Sequence, residues 1–254
     1  MKTYGLIGFP IGHSFSKAYF TTKFERESIP NSIFELFPLD KIESFPYFIQ
    51  SVNGLEGLSV TIPHKESILP FIDALDNVSA VIGAVNCVRV VDGKCYGYNT
   101  DVIGFENSFM PLRESHHQQA LVLGNGGAAK AVKYVLQKHR IPFLQVSRNQ
   151  THNDDCIAYD AIDKVMMDDY QIIINCTPVG MSPEVDKKPD IPSQFLTSRH
   201  FVFDLIYNPS STLLLQEAEK AGAVIKNGYE MLVIQAEESW KIWNDSSINA
   251  QSFL

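Results

Sequence analysis

Lys65 and Asp101 carry the chemistry that could together move a proton. Lys65 closes the run Ser59-Val60-Thr61-Ile62-Pro63-His64-Lys65, and Asp101 closes Gly97-Tyr98-Asn99-Thr100-Asp101, each beyond a short apolar strand. Ligands of α/β proteins gather at such strand ends. Reduction of a carbonyl needs an acid near the oxygen and a group that holds the acid's protonation state, and lysine with a carboxylate partner meets both needs. Each residue also has an ordinary reading, Lys65 as an exposed helix-start lysine and Asp101 as a helix N-cap. Spacing alone does not show that they meet.

A second group could hold an anion. Gly124-Asn125-Gly126-Gly127-Ala128-Ala129 follows the apolar strand Ala120-Leu121-Val122-Leu123 and precedes a helix over about 128–139. Glycines there let the backbone turn tightly toward a pyrophosphate, whose charge then sits at the positive end of the helix. Ala129 stands at the third position of the G-x-G-x-x-G pattern and still permits close packing of helix on strand. A glycine-rich surface turn is the plainer reading, and the flanking strand and helix favour the nucleotide. At the end of the next strand an NAD site places an acid on the ribose, whereas an NADP site needs a cation. The chain has Ser147-Arg148-Asn149 there, with no acid in the turn. NADP is therefore expected, with Arg148 offering a planar fork to the phosphate, although Arg148 by itself also reads as an exposed loop arginine.

Such groups need stiff elements behind them, and the chain supplies these in alternation. A strand over 3–9 leads to a helix over 14–28, with Phe15, Ala18, Tyr19 and Thr22 at helical spacing and Ser14 as its cap. A strand over 33–39, a helix near 41–52 and a strand over 58–62 follow. Asp92-Gly93 between two β-rich runs, 84–91 and 94–98, marks a hairpin. Residues 111–119 are polar and aperiodic, as a connection between halves. Further strands at 142–147, 171–175 and 201–205, with helices between them, suit a doubly wound parallel sheet, and the last long helix runs over about 229–243.

Composition limits the partners. The 254 residues, 45% hydrophobic and 11% aromatic, suffice for one large core or two smaller ones. A formal charge of -8 argues against a broad phosphate-tracking surface, so no nucleic-acid partner is expected. No apolar run approaches the ~20 residues of a spanning helix, so no membrane partner is expected either. The opening residues contain no signal-peptide core. Cys87, Cys95, Cys156 and Cys176 have neither zinc-site spacing nor the look of a disulfide framework. A cytoplasmic location follows from these features. His116-His117 has no third ligand nearby, and no metal is assigned.

Eight segments in order resemble the shikimate dehydrogenases. They are Gly8 to Ser16, Ser59 to Lys65, Ile82 to Asn86, Gly97 to Gly104, Gly124 to Ala129, Asn175 to Met181, Asp204 to Pro209 and Gly228 to Gln235. The resemblance spans nearly the whole chain. It implies two α/β domains: a substrate-binding domain over 1–103, joined by a C-terminal helix over about 231–254 that packs back on it, and a Rossmann-like NADP-binding domain over 104–230. The cleft between them would be the site, and the reaction the NADP-dependent reduction of 3-dehydroshikimate to shikimate, by a monomer or homodimer. On the same ground Lys65 and Asp101 form the catalytic dyad, and Ser14, Ser16, Thr61, Asn86, Tyr207 and Gln235 bind the substrate. Gly124, Asn125, Gly126, Gly127, Ala128, Arg148, Thr177, Leu205, Gly228 and Met231 bind the cofactor. His13 falls to a supporting role.

The chain departs from the family pattern in several places. Lys17 stands for the usual proline, Ser59 for the usual asparagine, and Ser147 and Asn149 flank Arg148 where Asn and Thr are usual. A quinate/shikimate dehydrogenase with NAD tolerance, and a catalytically silent NADPH-binding regulator, remain the alternatives. The first turns on the phosphate-reading turn and the second on loss of Lys65 or Asp101, both of which are present.

Overall fold

Side chains of β1 (Lys2–Gly8) sort the amino-terminal part of the chain into layers. The computed structural model describes residues 1–12, 14–148 and 156–245, and the chain divides into two units. One comprises Met1–Thr100 with the segment from Ala236 onward, the other Asp101–Gln235. Tyr4 and Leu6 join a core with Phe20 and Phe24 of α1 (Phe15–Arg26), whereas Ile7 joins a second core with Phe45 of α2 (Phe45–Ser51) and Leu58 and Val60 of β3 (Leu55–Val60). Successive strand residues point to opposite faces, so a strand buried on both faces serves two cores.

The first sheet adds β2 (Ser32–Pro38), β4 (Ala74–Leu75), β5 (Cys87–Val91) and β6 (Lys94–Tyr98) in the order β2-β1-β3-β5-β6-β4. Only β5 runs against its neighbours β3 and β6; the other pairs are parallel. Two short helices, α3 (His64–Ser67) and α4 (Asn77–Ile82), complete it.

The second unit starts with α5 (Asp101–Phe109), then β7 (Ala120–Leu123), α6 (Gly127–Lys138), β8 (Phe143–Val146), β9 (Cys156–Ile157), α7 (Lys164–Asp169) and β10 (Ile172–Asn175). β11 (Phe201–Asp204), α8 (Leu213–Lys220), β12 (Val224–Asn227) and α9 (Tyr229–Asn244) follow. Its strands lie in the order β12-β11-β10-β7-β8-β9, and every pairing is parallel. The chain winds outward from β7 in one direction and then, from β10, in the other. Phe105 and Phe109 of α5 pack on Phe201 and Phe203 of β11. Leu121, Leu123, Ile173 and Val202 face the other way, toward α7 and α8.

Several expected elements are corrected. The helix expected near 41–52 is divided into a 3₁₀ turn, Ile42–Ser44, and α2, because Pro46 has no N–H to donate into a preceding turn. The strand expected over 58–62 ends at Val60, and β5 begins at Cys87 rather than at residue 84. In both places the backbone turns to bond with neighbouring loops. The two-residue strands β4 and β9, and also β12, were not foreseen. Nor was α4, whose cap was present in the sequence: Asp76 accepts from the Ser79 N–H at 2.8 Å. The part of the expected C-terminal helix beyond 245, together with His13 and Asn149, lies outside the described residues.

From Ala236 onward α9 belongs to the first unit. Its Trp243 is 2% exposed and donates from Nε1 to the Val88 carbonyl at 3.0 Å. The indole lies over Gly57, where a Cβ would stand 2.3 Å from the ring, so bulk on one partner requires its absence on the other. Lys23 of α1 meets Glu237 at 2.8 Å, and the Tyr19 hydroxyl bonds the same carboxylate. Trp243→Ala should cost about 3–5 kcal/mol of stability, the range for truncating a buried aromatic. Urea unfolding measures it, and a loss under about 1 kcal/mol would mean that the ring does not hold α9 in place.

Candidate functional site

Ser59 of β3, Cys87 of β5 and Tyr98 of β6 lie side by side in register. The segments leaving β3 and β6 therefore emerge at the edge where the chain enters β5. The parallel strand β1 ends there too, its Ile7 opposite Val60. Backbone groups that have run out of ladder partners bond from loop to loop. The Thr61 N–H donates to Ile7 at 3.0 Å, Phe9 to Ile62 at 3.0 Å and Val60 to Asn86 at 2.8 Å. Gly8 must be glycine, since a Cβ would come within 2.4 Å of the Thr61 methyl and 2.9 Å of the Ile62 carbonyl.

Lys65 lies in the first turn of α3, and its carbonyl accepts from the Val85 N–H at 2.7 Å. Beside it His64 is buried, with Nε2 2.5 Å from the Leu39 carbonyl. Asn86 is 3% exposed, and its Oδ1 accepts the Thr100 N–H at 2.7 Å, immediately before Asp101. The Thr100 hydroxyl lies 3.1 Å from that of Ser239. Ser14 accepts from the Ser16 N–H at 3.1 Å and caps α1. A capping hydroxyl keeps its own hydrogen to donate.

Of the groups expected to bind substrate, Ser14, Ser16, Thr61 and Asn86 belong to the first unit with Lys65. Tyr207 and Gln235 belong to the second, with Asp101. Within that unit α5 and α9 touch at Gly104, where a Cβ would lie 2.6 Å from the Met231 carbonyl and 3.1 Å from the Gln235 Cβ. Asp101, 5% exposed, stands one turn earlier on α5.

The second sheet has one finishing line. Val146, Leu123, Asn175, Asp204 and Asn227 are register partners across β8, β7, β10, β11 and β12. The glycine loop begins one residue past it, between β7 and β10, at the point where the winding reverses and open α/β sheets take their ligands. Gly124 has φ +103°, and a side chain there would press on the Thr177 methyl at 3.0 Å. Gly126 precedes α6 and faces open space, and the first turn of α6 contains no acidic residue. Arg148 is exposed two residues beyond Val146. At the far side Gly228 lies against Leu205, whose carbonyl a Cβ would approach to 2.0 Å, so glycine is obligatory.

Asn175 and Asp204 open two of the family-like segments with no role expected of them, and the structure supplies one. The fully buried Asn175 donates to Asp204 at 2.9 Å, while its Oδ1 accepts from the Thr177 N–H at 3.0 Å and hydroxyl at 2.6 Å. Asp204 also accepts from the Ile206 N–H at 3.1 Å and the Thr212 hydroxyl at 2.6 Å. A polar pair ending two apolar strands, with Thr-Pro after the first, was the available signal. His116 and His117 lie in the 111–119 connection, where His117 is buried and accepts from the Glu114 N–H at 3.0 Å.

Comparisons with known proteins place the chain in a family. Residues 6–88 match a family profile described as the shikimate dehydrogenase substrate binding domain. A shikimate dehydrogenase (NADP(+)) from Desulforamulus reducens is 34% identical, over 94% of this chain and 88% of its own. A solved shikimate dehydrogenase in complex with NADP+ superposes with a TM-score of 0.84 at 33% identity, covering 96% of this chain and 90% of that one. The shikimate 5-dehydrogenase from Thermus thermophilus, solved with NADP(H) and shikimate, gives a TM-score of 0.83 at 26% identity, covering 96% and 94%.

Burial pushes the Asp204 carboxyl up from 3.8 to about 6, against hydrogen bonds from Thr212, Ile206 and Asn175 that favour its charge. Between those values the native state holds a proton that the unfolded chain releases, so stability falls as pH rises through the window. Asp204→Asn removes this dependence. The stability of the parent relative to the variant should drop by about 2 kcal/mol from about pH 4.5 to pH 7. Denaturant unfolding across that range measures it, and parallel pH profiles would show that Asp204 titrates normally.

Proposed function

This chain belongs to the shikimate dehydrogenase family, and on that premise we propose that it is the NADP-dependent oxidoreductase that interconverts 3-dehydroshikimate and shikimate in chorismate biosynthesis. One observation carries the assignment of roles: a single edge of the first sheet gathers the Lys65 turn, Thr61, Asn86 and the strand end that leads into Asp101. The first unit supplies most of the substrate groups, and the second supplies the cofactor groups with Asp101, Tyr207 and Gln235. Its setting is the cytoplasm, in keeping with four free cysteines; no helix among the described residues is long and apolar enough to cross a membrane.

The second sheet's edge fits a dinucleotide phosphate. The open space at Gly126, the positive φ of Gly124 and the acid-free start of a twelve-residue helix form a cradle for the pyrophosphate. Gly124, Asn125, Gly126, Gly127 and Ala128 take it. Arg148 takes the additional phosphate, and Thr177, Leu205, Gly228 and Met231 line the rest of the cofactor path. When bound, the cofactor supplies the hydride that reaches the ring carbonyl carbon. Lys65 Nζ gives its proton to the carbonyl oxygen, where its charge also stabilises the negative charge that develops. Asp101 orients Lys65. Ser14, Ser16 and Tyr207 donate to the substrate carboxylate, while Thr61, Asn86 and Gln235 pair with ring hydroxyls.

Lys65→Ala should leave folding and NADP binding intact and lower turnover ~10²–10⁴-fold, the contribution of a positioned acid. Near-native turnover in shikimate oxidation would remove Lys65 from the mechanism. With shikimate as substrate, NADP should be reduced in preference to NAD, and with NADP, shikimate should be preferred to quinate. Arg148→Ala should raise KM for NADP alone, because it removes a contact to a phosphate that NAD lacks. Equal losses with both cofactors would place the arginine on the shared pyrophosphate or in the fold.

A further inference from the structure

Two side-chain amides cross between the segment that enters β5 and the segment that leaves β6. Asn86 reaches forward to the Thr100 N–H at 2.7 Å. Asn99 reaches back, its Nδ2 donating to the Ala84 carbonyl at 2.9 Å. The next residue, Val85, donates its N–H to the Lys65 carbonyl at 2.7 Å. A continuous path of one side-chain bond, one peptide link and one backbone bond thus runs from the Asn99 amide to the turn that carries Lys65.

Asn99 is 5% exposed, and its Oδ1 has no hydrogen-bond partner among the described residues. A buried acceptor left unpaired is destabilising. For packing alone, an apolar side chain of similar size would serve this position as well. What asparagine adds is the donor that holds Ala84.

We propose that Asn99 is a positioning residue for proton transfer: by gripping Ala84 it fixes the Val85 N–H that holds Lys65, and so sets where the ammonium stands. The proposal rests on Lys65 being the acid of the reaction. Asn99 acts through Lys65 and makes no contact with substrate, so its effect falls on kcat and not on KM. Misplacement of a reacting group by about 1 Å is enough to cost ~10²-fold in rate.

Asn99→Leu removes the donor and the unpaired acceptor together while keeping the branched shape of the side chain. In the full-length enzyme kcat should fall about tenfold or more, with KM for shikimate and NADP within about twofold of the parent. The urea midpoint should stay close to the parent's. The decisive comparison adds Lys65→Ala. Residues that act as a unit are non-additive, so in the Lys65→Ala background Asn99→Leu should cost little further. A full additional loss in that background, a raised KM with unchanged kcat, or a parental kcat in Asn99→Leu would each overturn the proposal. Near-native turnover of Lys65→Ala alone is a separate outcome: it would refute the acid assignment and, with it, the premise used here. If Asn99→Leu does not fold, Asn99→Asp keeps the size and, ionised, lacks the donor, and the same split between kcat and KM is expected. Failure of both variants to fold would overturn the proposal by making Asn99 a requirement of the fold.

Discussion

In a parallel sheet every strand delivers its carboxyl end to the same edge, and the chemistry of this protein depends on that constraint. Past the line formed by Val146, Leu123, Asn175, Asp204 and Asn227, the backbone has lost its ladder but still has N–H groups to satisfy. They are satisfied sideways: Gly124 bonds Val146 at 2.8 Å, Cys176 bonds Leu123 at 2.9 Å and Leu205 bonds Asn175 at 3.0 Å. Each loop is therefore anchored to the strand beside it. The first sheet obeys the same rule with one change, because antiparallel β5 contributes its entrance rather than its exit to that edge.

Net charge sets the second condition. In a chain of formal charge -8, an anion must be held by local fields, and the proposed cofactor site at the edge of the second sheet suits this. The start of α6 has no acid in its first turn, and the nearby buried carboxylate, Asp204, is enclosed by the donors Asn175, Ile206 and Thr212. Its charge is spent inward, away from the glycine loop. Arg148 stays exposed, as the proposed contact to a phosphate requires.

Strands of four or more apolar residues, the glycine loop and the long helices were legible in the sequence because burial on both faces and helical periodicity leave unbroken patterns. The β4 and β9 pairs span two residues each, too few for any period, and their pairing is set by neighbours distant in the chain. The division of the helix expected near 41–52 follows from Pro46, whose missing N–H is a signal present in the sequence. Among site residues, the types and strand-end positions of Lys65, Asp101 and Arg148 could be read directly. The roles of Asn99, Asn175 and Asp204 could not, because each depends on which backbone atom a side chain reaches across the sheet edge, and that is fixed by register.

The helix α9 begins in one unit, and from Ala236 its turns belong to the other. The Asp101–Gln235 unit is one uninterrupted stretch of chain, whereas the core around Tyr4, Phe20 and Gly57 is capped by Trp243. During translation the amino-terminal sheet emerges first, yet the face that awaits the indole stays open until almost the whole described chain has been made. Completion of the two units therefore runs opposite to the order of synthesis. The nascent protein must carry an exposed aromatic surface past its own later half, an interval in which a chaperone has something to hold.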